Sequence, residues 1–323
     1  MLLSFIIPAY NVCDKIERCI TSINSIPLNR EDFEIIVVDD SSTDNTLETT
    51  EKLLKENNLY YTFLQQDKAG QATARNKGLA LAKGKYVWMV DADDEIIHNT
   101  LLFDTLLKDP EADLITFNYE EDWLTHTVKH KNFKEKHYVT GIKFLSHNYE
   151  KGSYLWNKIY RKDAIKDILF IDGLTHIEDM CFNVHAIVTL KNILCLPIIG
   201  YRYYRYPKRK LMGENLITER MKANEDSLKA YQAIYELAVN SDQSAQDILY
   251  KILNFDTMAH LYSIFLNDNG VILKRYRDIY RSMGLYPFSK TTNIKANIFR
   301  IVINNPILTS ILKLFFNANT VCR

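Results

Sequence analysis

The chain has 323 residues, of which 47% are apolar and 25% charged, and its 40 lysine and arginine residues balance its 40 aspartate and glutamate residues. That length suits a main domain with an appendage, and the balanced charge gives no indication of a nucleic-acid partner. Five cysteines without paired metal-ligand spacing predict free thiols in a reducing compartment. The opening apolar run is too short for a signal peptide, and no stretch reaches the roughly 20 apolar residues that span a bilayer, so we expect a cytoplasmic protein.

Four apolar runs in the first hundred residues predict strands: Leu2–Ile7, Phe33–Val38, Tyr60–Leu64 and Tyr86–Val90. Amphipathic helical periodicity fills the stretches between these runs. Such alternation predicts an α/β fold of the Rossmann-like kind, with a mostly parallel central sheet flanked by helices.

Polar residues follow all four predicted strands and should meet at one edge of the sheet, where ligands bind to such folds. They are Pro8–Asn11, Asp39–Asp40, Asp67 and Asp91–Asp93. The carboxylates of Asp91 and Asp93 can approach one hard cation, Mn2+ or Mg2+, and a plain polar turn is the alternative. Asp39 and Asp40 can accept hydrogen bonds from a base or a ribose, and they can also cap the helix that follows.

Glycine is missing from the segment that follows the first predicted strand, Pro8–Asp14. A dinucleotide-binding dehydrogenase would have a glycine-rich turn there, and a P-loop enzyme would have a glycine-rich loop with a lysine. A nucleotidyltransferase that makes sugar nucleotides would also need a glycine-rich, arginine-bearing loop at this place. The sequence therefore disfavours all three classes.

Several short segments carry a resemblance to a known family. They are Ile7–Asn11, Val37–Asp44, Ala74–Gly78, Val90–Asp94, Trp156–Arg161 and Glu178–Phe182. In order and spacing they resemble the signatures of the family 2 glycosyltransferases, which have the GT-A fold. The resemblance covers about the first 210 residues and implies a sugar transfer from a nucleotide-sugar donor.

The resemblance also implies roles for the matching positions on the donor side. The donor-binding residues would be Pro8, Ala9, Tyr10, Asn11, Asp39, Asp40, Asp67, Arg75, Asp91 and Ala92. Among them, Asp40 would face the base, which the resemblance identifies as uracil. The main ligand of Mn2+ or Mg2+ would be Asp93, and Asp91 would serve either the metal or the ribose.

Further along the chain, the resemblance places Trp156, Asn157 and Lys158 on the acceptor side. A basic loop that includes Arg205 and Lys208 would close over the diphosphate and complete the donor site. The sequence departs from the family here, because Leu211–Met212 stands where a serine often follows. The individual contacts of this loop are therefore not defined by the resemblance.

One acidic pair, Glu178 and Asp179, is suited to act as the catalytic base. An inverting transfer needs a carboxylate that accepts the proton of the attacking acceptor hydroxyl. Spacing does not distinguish between the two residues, and the resemblance favours Asp179. Acidic residues also suit the first turn of a helix, so capping is the alternative role.

These patterns divide the chain into a GT-A catalytic domain at 1–215 and a helical C-terminal region at 216–323. Within the first, residues 1–110 would bind the nucleotide-sugar and residues 111–215 the acceptor. Apolar residues recur over 298–316, broken by Pro306 and accompanied by lysine and arginine. This pattern predicts two short amphipathic helices on the anionic inner face of the plasma membrane. A helix pair packed on the protein body, or a dimer interface, is the alternative.

The sequence as a whole predicts an inverting, metal-assisted glycosyltransferase. Its donor would be a UDP-sugar, and its acceptor a hydroxyl of a glycan or of a lipid-linked saccharide. The alternatives are a sugar-nucleotide nucleotidyltransferase and a sugar-nucleotide-binding module without activity. The sequence does not predict the oligomeric state.

Overall fold

The computed structural model describes residues 1–108, 111–149, 154–207, 212–267, 271–291, 294–305, 307–309 and 311–312. The chain divides into two compact units, Met1–Glu219 and Arg220–Arg323.

The first unit is an α/β structure. Its strands are β1 (Leu3–Ala9), β2 (Phe33–Asp39), β3 (Tyr61–Gln65), β4 (Tyr86–Met89), β5 (Glu95–Ile96), β6 (Leu114–Asp122), β7 (Thr127–His130), β8 (His137–Val139), β9 (Lys158–Arg161) and β10 (Ile193–Tyr204). Its helices are α1 (Ile16–Asn24), α2 (Thr46–Glu56), α3 (Gln71–Leu81), α4 (Thr100–Leu107), α5 (Gly141–Asn148) and α6 (Glu178–Thr189).

All of these strands join one sheet in the order β3-β2-β1-β4-β9-β6-β10-β5, with β7 paired to β6 and β8 paired to β10. Strands β1 to β4 run parallel, and β6 is parallel to β10. Between these two parallel groups, β9 is antiparallel to both β4 and β6. The predicted α/β fold with a central sheet flanked by helices is confirmed.

The core of this sheet explains why its first strands have continuous apolar sequences. Every residue of β2 is buried, as expected for a strand with both faces covered. The ring of Trp88 packs at 5.6 Å from Phe5 and at 5.4 Å from Phe117, so β4 is joined to both parallel groups. Helix α3 lies close to β1, because a Cβ on Gly78 would come within 2.3 Å of a methyl group of Ile6. Arg75, on the same helix, reaches Asp91 just after β4, at 3.0 Å.

Several elements depart from the sequence pattern. Strand β10 begins with the short apolar run Ile193–Pro197 but continues to Tyr204, with irregular pairing between Leu196 and Tyr201. Strands β7 and β8 lie in a polar stretch that gave no strand signal, because their side chains are largely exposed. A strand without a buried face needs no alternation of apolar residues.

The second unit contains helices α8 (Gln243–Asn267), α9 (Val271–Ser282) and α10 (Ile294–Asn304), together with most of α7 (Gly213–Val239). Helix α10 packs on α8 through the ring of Phe299, 4.5 Å from that of Tyr262. Among the described helices we find no candidate for a membrane-spanning segment.

Candidate active site

A cleft of about 420 Å3 opens at the carboxyl ends of β1, β2 and β4. Seven of the predicted site residues line it: Pro8, Ala9, Tyr10, Asp40, Asp91, Ala92 and Asp93. Val12, Lys68, Gly70, Gln71 and Thr175 complete the lining. The parallel register explains the convergence, since Ala9 pairs with Asp39 and Ile6 pairs with Met89. A larger cleft of about 550 Å3 borders α1 and β5, but it contains none of the residues predicted to bind donor, metal or acceptor.

The carboxylate of Asp40 is bound by several donors of its own chain. Its Oδ1 accepts hydrogen bonds from Gln66 Nε2 at 2.8 Å and from the backbone N–H of Ala69 at 2.8 Å, and Lys68 Nζ lies 2.8 Å from Oδ2. Burial alone would raise the pKa of Asp40, but Lys68 and the N–H donors hold that pKa below its ordinary value. The ammonium of Lys68 also lies 2.8 Å above the centre of the Tyr10 ring. This corner of the cleft therefore combines a fixed carboxylate, a cation and a half-exposed aromatic face.

Asp39 and Asn11 hold the loops beneath the cleft. The buried Asp39 accepts hydrogen bonds from the backbone N–H and the hydroxyl of Ser42. Asn11 Oδ1 accepts from the N–H of Thr43 at 2.7 Å and so ties the loop after β1 to the loop after β2. Both residues act on the loop backbone and do not line the cleft. Asp67 is exposed and also lies outside the lining, where its neighbour Lys68 takes part instead.

The turn after β4 carries three acidic side chains in different surroundings. Asp91 Oδ1 lies 3.0 Å from Arg75 Nη2. Asp93 lines the cleft, and its pKa is raised by burial and then by the Asp91 carboxylate. Asp94 is fully buried and accepts hydrogen bonds from the Tyr201 hydroxyl at 3.0 Å and the Tyr204 N–H at 2.9 Å. Asp94 therefore fixes the turn, and Asp91 and Asp93 remain available to a ligand.

The guanidinium of Arg75 joins this turn to the acidic pair at the start of α6. Arg75 is 2% exposed, and its Nη1 lies 2.8 Å from Asp179 Oδ1 and 3.3 Å from Glu178 Oε1. Because Nη2 bonds Asp91, a single buried cation connects three carboxylates. Burial raises the pKa of Asp179 to about 7, against the opposing effect of Arg75.

The residue before the acidic pair has an unusual backbone. Ile177 is in the left-handed region, with φ of 54°, which a β-branched side chain rarely adopts. Backbone strain of this kind is concentrated at functional sites. It leads directly into α6, whose first two residues are Glu178 and Asp179.

The residues predicted on the acceptor side are interior. Trp156, Asn157 and Lys158 are all buried. Lys158 Nζ donates to Asn157 Oδ1 at 2.9 Å, and the Trp156 carbonyl accepts from Trp88 Nε1 at 2.7 Å. These groups hold β9 in the sheet, and their contact with an acceptor stays a prediction.

The described residues include only part of the predicted basic loop. Arg205 pairs with Glu121 at 2.8 Å, and its guanidinium carbon lies 4.6 Å from the centre of the Tyr203 ring. Lys208 lies outside the described residues. Nearby, the Tyr206 hydroxyl lies 3.4 Å from the backbone oxygen of Asp93. Nothing in the sequence indicated this contact.

The acids after β4 fit a divalent cation only together with a ligand. Among the described residues, no group of three or more histidine, cysteine, aspartate or glutamate side chains could hold a metal ion by itself. Mg2+ is characteristically held through one or two carboxylates and the phosphate oxygens of a substrate. Asp91 and Asp93 match that arrangement, because both line the cleft and repel each other.

Sequence reasoning missed some of the groups that shape the site. Lys68 belongs to no motif, and the only signal for it was its place after the third predicted strand. Tyr201 donates to Asp94 from β10, which is distant in sequence. Only the three-dimensional pairing of strands reveals such a partner.

Comparisons with known proteins place this site in context. An uncharacterized glycosyltransferase of Escherichia coli K12, YibD, is 34% identical over 217 residues, which cover 62% of this chain and 61% of the relative. The poly(ribitol-phosphate) beta-N-acetylglucosaminyltransferase TarS of Staphylococcus aureus MW2 is 30% identical over 289 residues, 85% of this chain and 46% of the relative. The matches thus span less than two thirds of either relative.

Among solved structures, residues 1–349 of S. aureus TarS in complex with UDP-GlcNAc superpose with a TM-score of 0.72 at 22% identity, covering 97% of this chain and 89% of that one. This likeness shows the GT-A fold. A model of the family described as glycosyl transferase family 2 matches residues 4–169, which is more than half of the 323 residues. The chain therefore belongs to glycosyl transferase family 2.

Proposed function

We propose that the protein transfers a sugar from a UDP-sugar to a hydroxyl of a glycan or of a lipid-linked saccharide, with inversion at the anomeric carbon. The observation that carries this proposal is the chain of contacts from Asp91 through Arg75 to Asp179. It joins the acids at the donor end of the cleft to a carboxylate that can act as a base. Membership of the family, together with the UDP-GlcNAc complex of the S. aureus enzyme, supports the donor class.

The uracil ring of the donor would lie in the corner formed by Tyr10, Asp40 and Lys68. The half-exposed Tyr10 ring offers a stacking face, and Asp40 is ionised because Lys68 and N–H donors lower its pKa. The diphosphate would then extend toward Asp91 and Asp93, which line the same cleft.

Asp93 would hold Mn2+ or Mg2+, with Asp91 as second ligand or as a ribose partner. When bound, the cation would neutralise charge on the diphosphate and make it a better leaving group. A mannosyltransferase from Pyrobaculum calidifontis, solved in complex with GDP-Man and Mn2+, shares the fold with a TM-score of 0.50 at 15% identity, covering 97% of this chain and 86% of that one.

Asp179 is the better candidate for the base. Its side chain is 28% exposed, whereas that of Glu178 is 5% exposed and accepts hydrogen bonds from Gln71 and Arg75. A base must reach the acceptor hydroxyl, so exposure favours Asp179. Its raised pKa, about 7, suits proton transfer near neutral pH.

The proposal is tested by UDP release from a panel of UDP-sugars with Mn2+ or Mg2+ and saccharide acceptors. Asp179→Asn and Asp93→Asn should each lower kcat by roughly a hundredfold or more, since they remove the base and the main metal ligand. Asp163→Asn, an exposed acid outside the cleft, is the matched control. Full turnover in folded Asp179→Asn protein would overturn the assignment of the base. Pyrophosphate release from a nucleoside triphosphate and a sugar phosphate would identify a nucleotidyltransferase instead.

The C-terminal helices support contact with the inner face of the plasma membrane. Ile294, Ile298 and Ile301 recur on one side of α10, and each is more than half exposed. From residue 271 onward the sequence has nine lysine and arginine residues and one acidic residue, Asp278. An apolar stripe accompanied by excess positive charge suits an anionic bilayer surface.

Flotation with vesicles tests this contact. The full chain should float with phosphatidylglycerol-containing vesicles, less so at high salt, and not with pure phosphatidylcholine. Replacing Ile294, Ile298 and Ile301 by serine should abolish flotation, whereas serine at the exposed Ile217 and Met221 of α7 should not. Unchanged flotation of the triple variant would remove the proposal.

A further inference from the structure

Planar side chains form a continuous stack across the first unit. The stack, here called the aromatic ladder, consists of Tyr201, Trp156, Tyr203, Arg205 and Trp123. Trp156 lies 4.7 Å from Tyr201 and 5.4 Å from Tyr203, with interplanar angles of 10° and 24°. The guanidinium carbon of Arg205 lies 4.6 Å from the Tyr203 ring centre and 5.5 Å from that of Trp123.

The inner end of the aromatic ladder is fixed at the turn that follows β4. The buried Tyr201 hydroxyl donates to Asp94 at 3.0 Å and accepts from the N–H of Asp91 at 3.1 Å. Asp93, between these two residues, lines the candidate donor cleft. The ladder therefore starts at the backbone that carries the proposed metal ligands.

The outer end is Trp123, in the turn between β6 and β7. The Trp123 side chain is 45% exposed, and the backbone N–H of Trp123 donates to the His126 carbonyl at 2.9 Å. Arg205 is held against it by Glu121 at 2.8 Å and by a backbone bond to Asp122 at 2.7 Å. The indole is thus exposed on a rigid support, which lowers the entropic cost of using it for binding.

We propose that Trp123 is a stacking subsite for a sugar ring of the acceptor chain, at a distance from the hydroxyl that receives the new sugar. This inference rests on the proposed function. A pyranose ring has an apolar face of C–H groups that can cover the exposed part of the indole, and Trp contributes a large rigid contact area. The His126 ring is parallel to the indole with its centre 6.1 Å away, and its Nε2 can serve a sugar hydroxyl, since Nδ1 lies 3.0 Å from the Thr125 hydroxyl.

Quenching of tryptophan fluorescence by acrylamide provides a test without turnover. The chain has three tryptophans, and the other two, Trp88 and Trp156, are buried, so quenching reports on Trp123. The probes are gluco-, galacto- and N-acetylglucosamine oligosaccharides from mono- to hexasaccharide. At least one oligosaccharide should protect wild-type protein, with protection that increases with chain length. Absence of protection by the whole panel would overturn the proposal.

Kinetics of any acceptor that reacts provide the second test. Trp123→Ala should raise the acceptor KM by roughly five- to tenfold, with the donor KM and the hydrolysis of donor without acceptor unchanged. Trp123→Phe should restore most of the affinity, and Tyr60→Ala, which removes an exposed aromatic ring beside β3, should have no effect. An unchanged acceptor KM in Trp123→Ala would overturn the subsite. If the wild-type protein turned over none of the UDP-sugars, that result would instead count against the proposed function.

Discussion

Arg75 is a single buried cation among three carboxylates, and that ratio defines its role. A guanidinium can bond two acids at once through its planar fork, which a lysine ammonium does not reproduce. In this protein the fork spans Asp91 on one side and the Glu178–Asp179 pair on the other. All of its described polar contacts are with acids of the chain, so Arg75 is expected to position the base and not to bind the diphosphate.

Arg75→Gln should therefore lower kcat more than it raises the donor KM. The base must be deprotonated, and the pKa of Asp179 is about 7, so the wild-type rate should fall as pH decreases through about 7. Arg75 opposes protonation of Asp179, and its loss should move this acid limb to higher pH. Arg75→Lys should leave the limb close to its wild-type position while kcat stays reduced.

Rate profiles against pH, with thermal unfolding as a check on folding, measure these effects. A raised donor KM with an unmoved acid limb would show that Arg75 binds the donor, as the family resemblance implies.

At this scale the sequence predicted part of the site. Asp40, Asp91 and Asp93 were predictable because each follows a buried strand, and strand ends meet. Lys68 was not, since its importance comes from contact with Asp40 and Tyr10 and from no motif. Contacts that form between loops leave no periodic pattern in the sequence.

Helices α5 and α6 approach each other so closely at Gly141 that no side chain fits at that position. A Cβ on Gly141 would lie 1.7 Å from the backbone oxygen of Ile187, and the Gly141 N–H donates to Leu190 at 2.8 Å. Because α6 begins with the acidic pair, its position also sets that of the proposed base.

Gly141→Ala should destabilise the first unit by about 1–3 kcal/mol or more, because the methyl group overlaps backbone atoms that cannot rotate away. It should also lower kcat by displacing α6. Urea unfolding followed by tryptophan fluorescence measures the first effect, since all three tryptophans belong to this unit. Lys143→Ala, at an exposed position of α5, is the control. Wild-type stability in Gly141→Ala would contradict the close approach.

The secondary-structure elements that could be predicted from the sequence were those whose residues are buried and apolar. Strands β1, β2 and β4 were evident because a strand covered on both faces must be apolar throughout. The pairing of β9 between β4 and β6 was not, since its sequence includes the buried Lys158, whose pKa burial lowers to about 7. A polar residue inside the core reads from sequence as a surface residue.

Beyond the first unit, the stability of the whole molecule includes a contribution from a pH-sensitive group. His260 of α8 is buried, with Nδ1 at 2.6 Å from the Tyr280 hydroxyl and Nε2 at 3.0 Å from Asn224 Oδ1. Burial lowers its pKa to about 4, so the imidazole is neutral in the folded protein at pH 7.

In the unfolded chain the His260 imidazole is protonated with a pKa of about 6.5, well above its pKa of about 4 in the folded protein. The stability of the second unit should therefore be constant above about pH 6.5 and fall below it, by up to about 1.4 kcal/mol per pH unit. Hydrogen exchange of α8 amides at pH 7 and pH 5, corrected for intrinsic rates, measures this decrease. The His260→Gln variant should be less stable at pH 7, but its stability should change less between pH 7 and pH 5. If its stability falls as much as that of the wild type, His260 is excluded as the cause.

The antiparallel strand β9 has a consequence for cooperativity. It bonds β4, which leads into the acidic turn, to β6, which runs toward Trp123, so residues 1–110 and 111–215 share one hydrogen-bonded sheet. Neither half can open without breaking the hydrogen bonds of β9. We therefore expect the slowest-exchanging amide hydrogens of both halves to exchange together. A fragment that ended near residue 110 would leave the edge of β4 unpaired and prone to join another chain. We therefore expect the proposed donor half and the proposed acceptor half to fold as one.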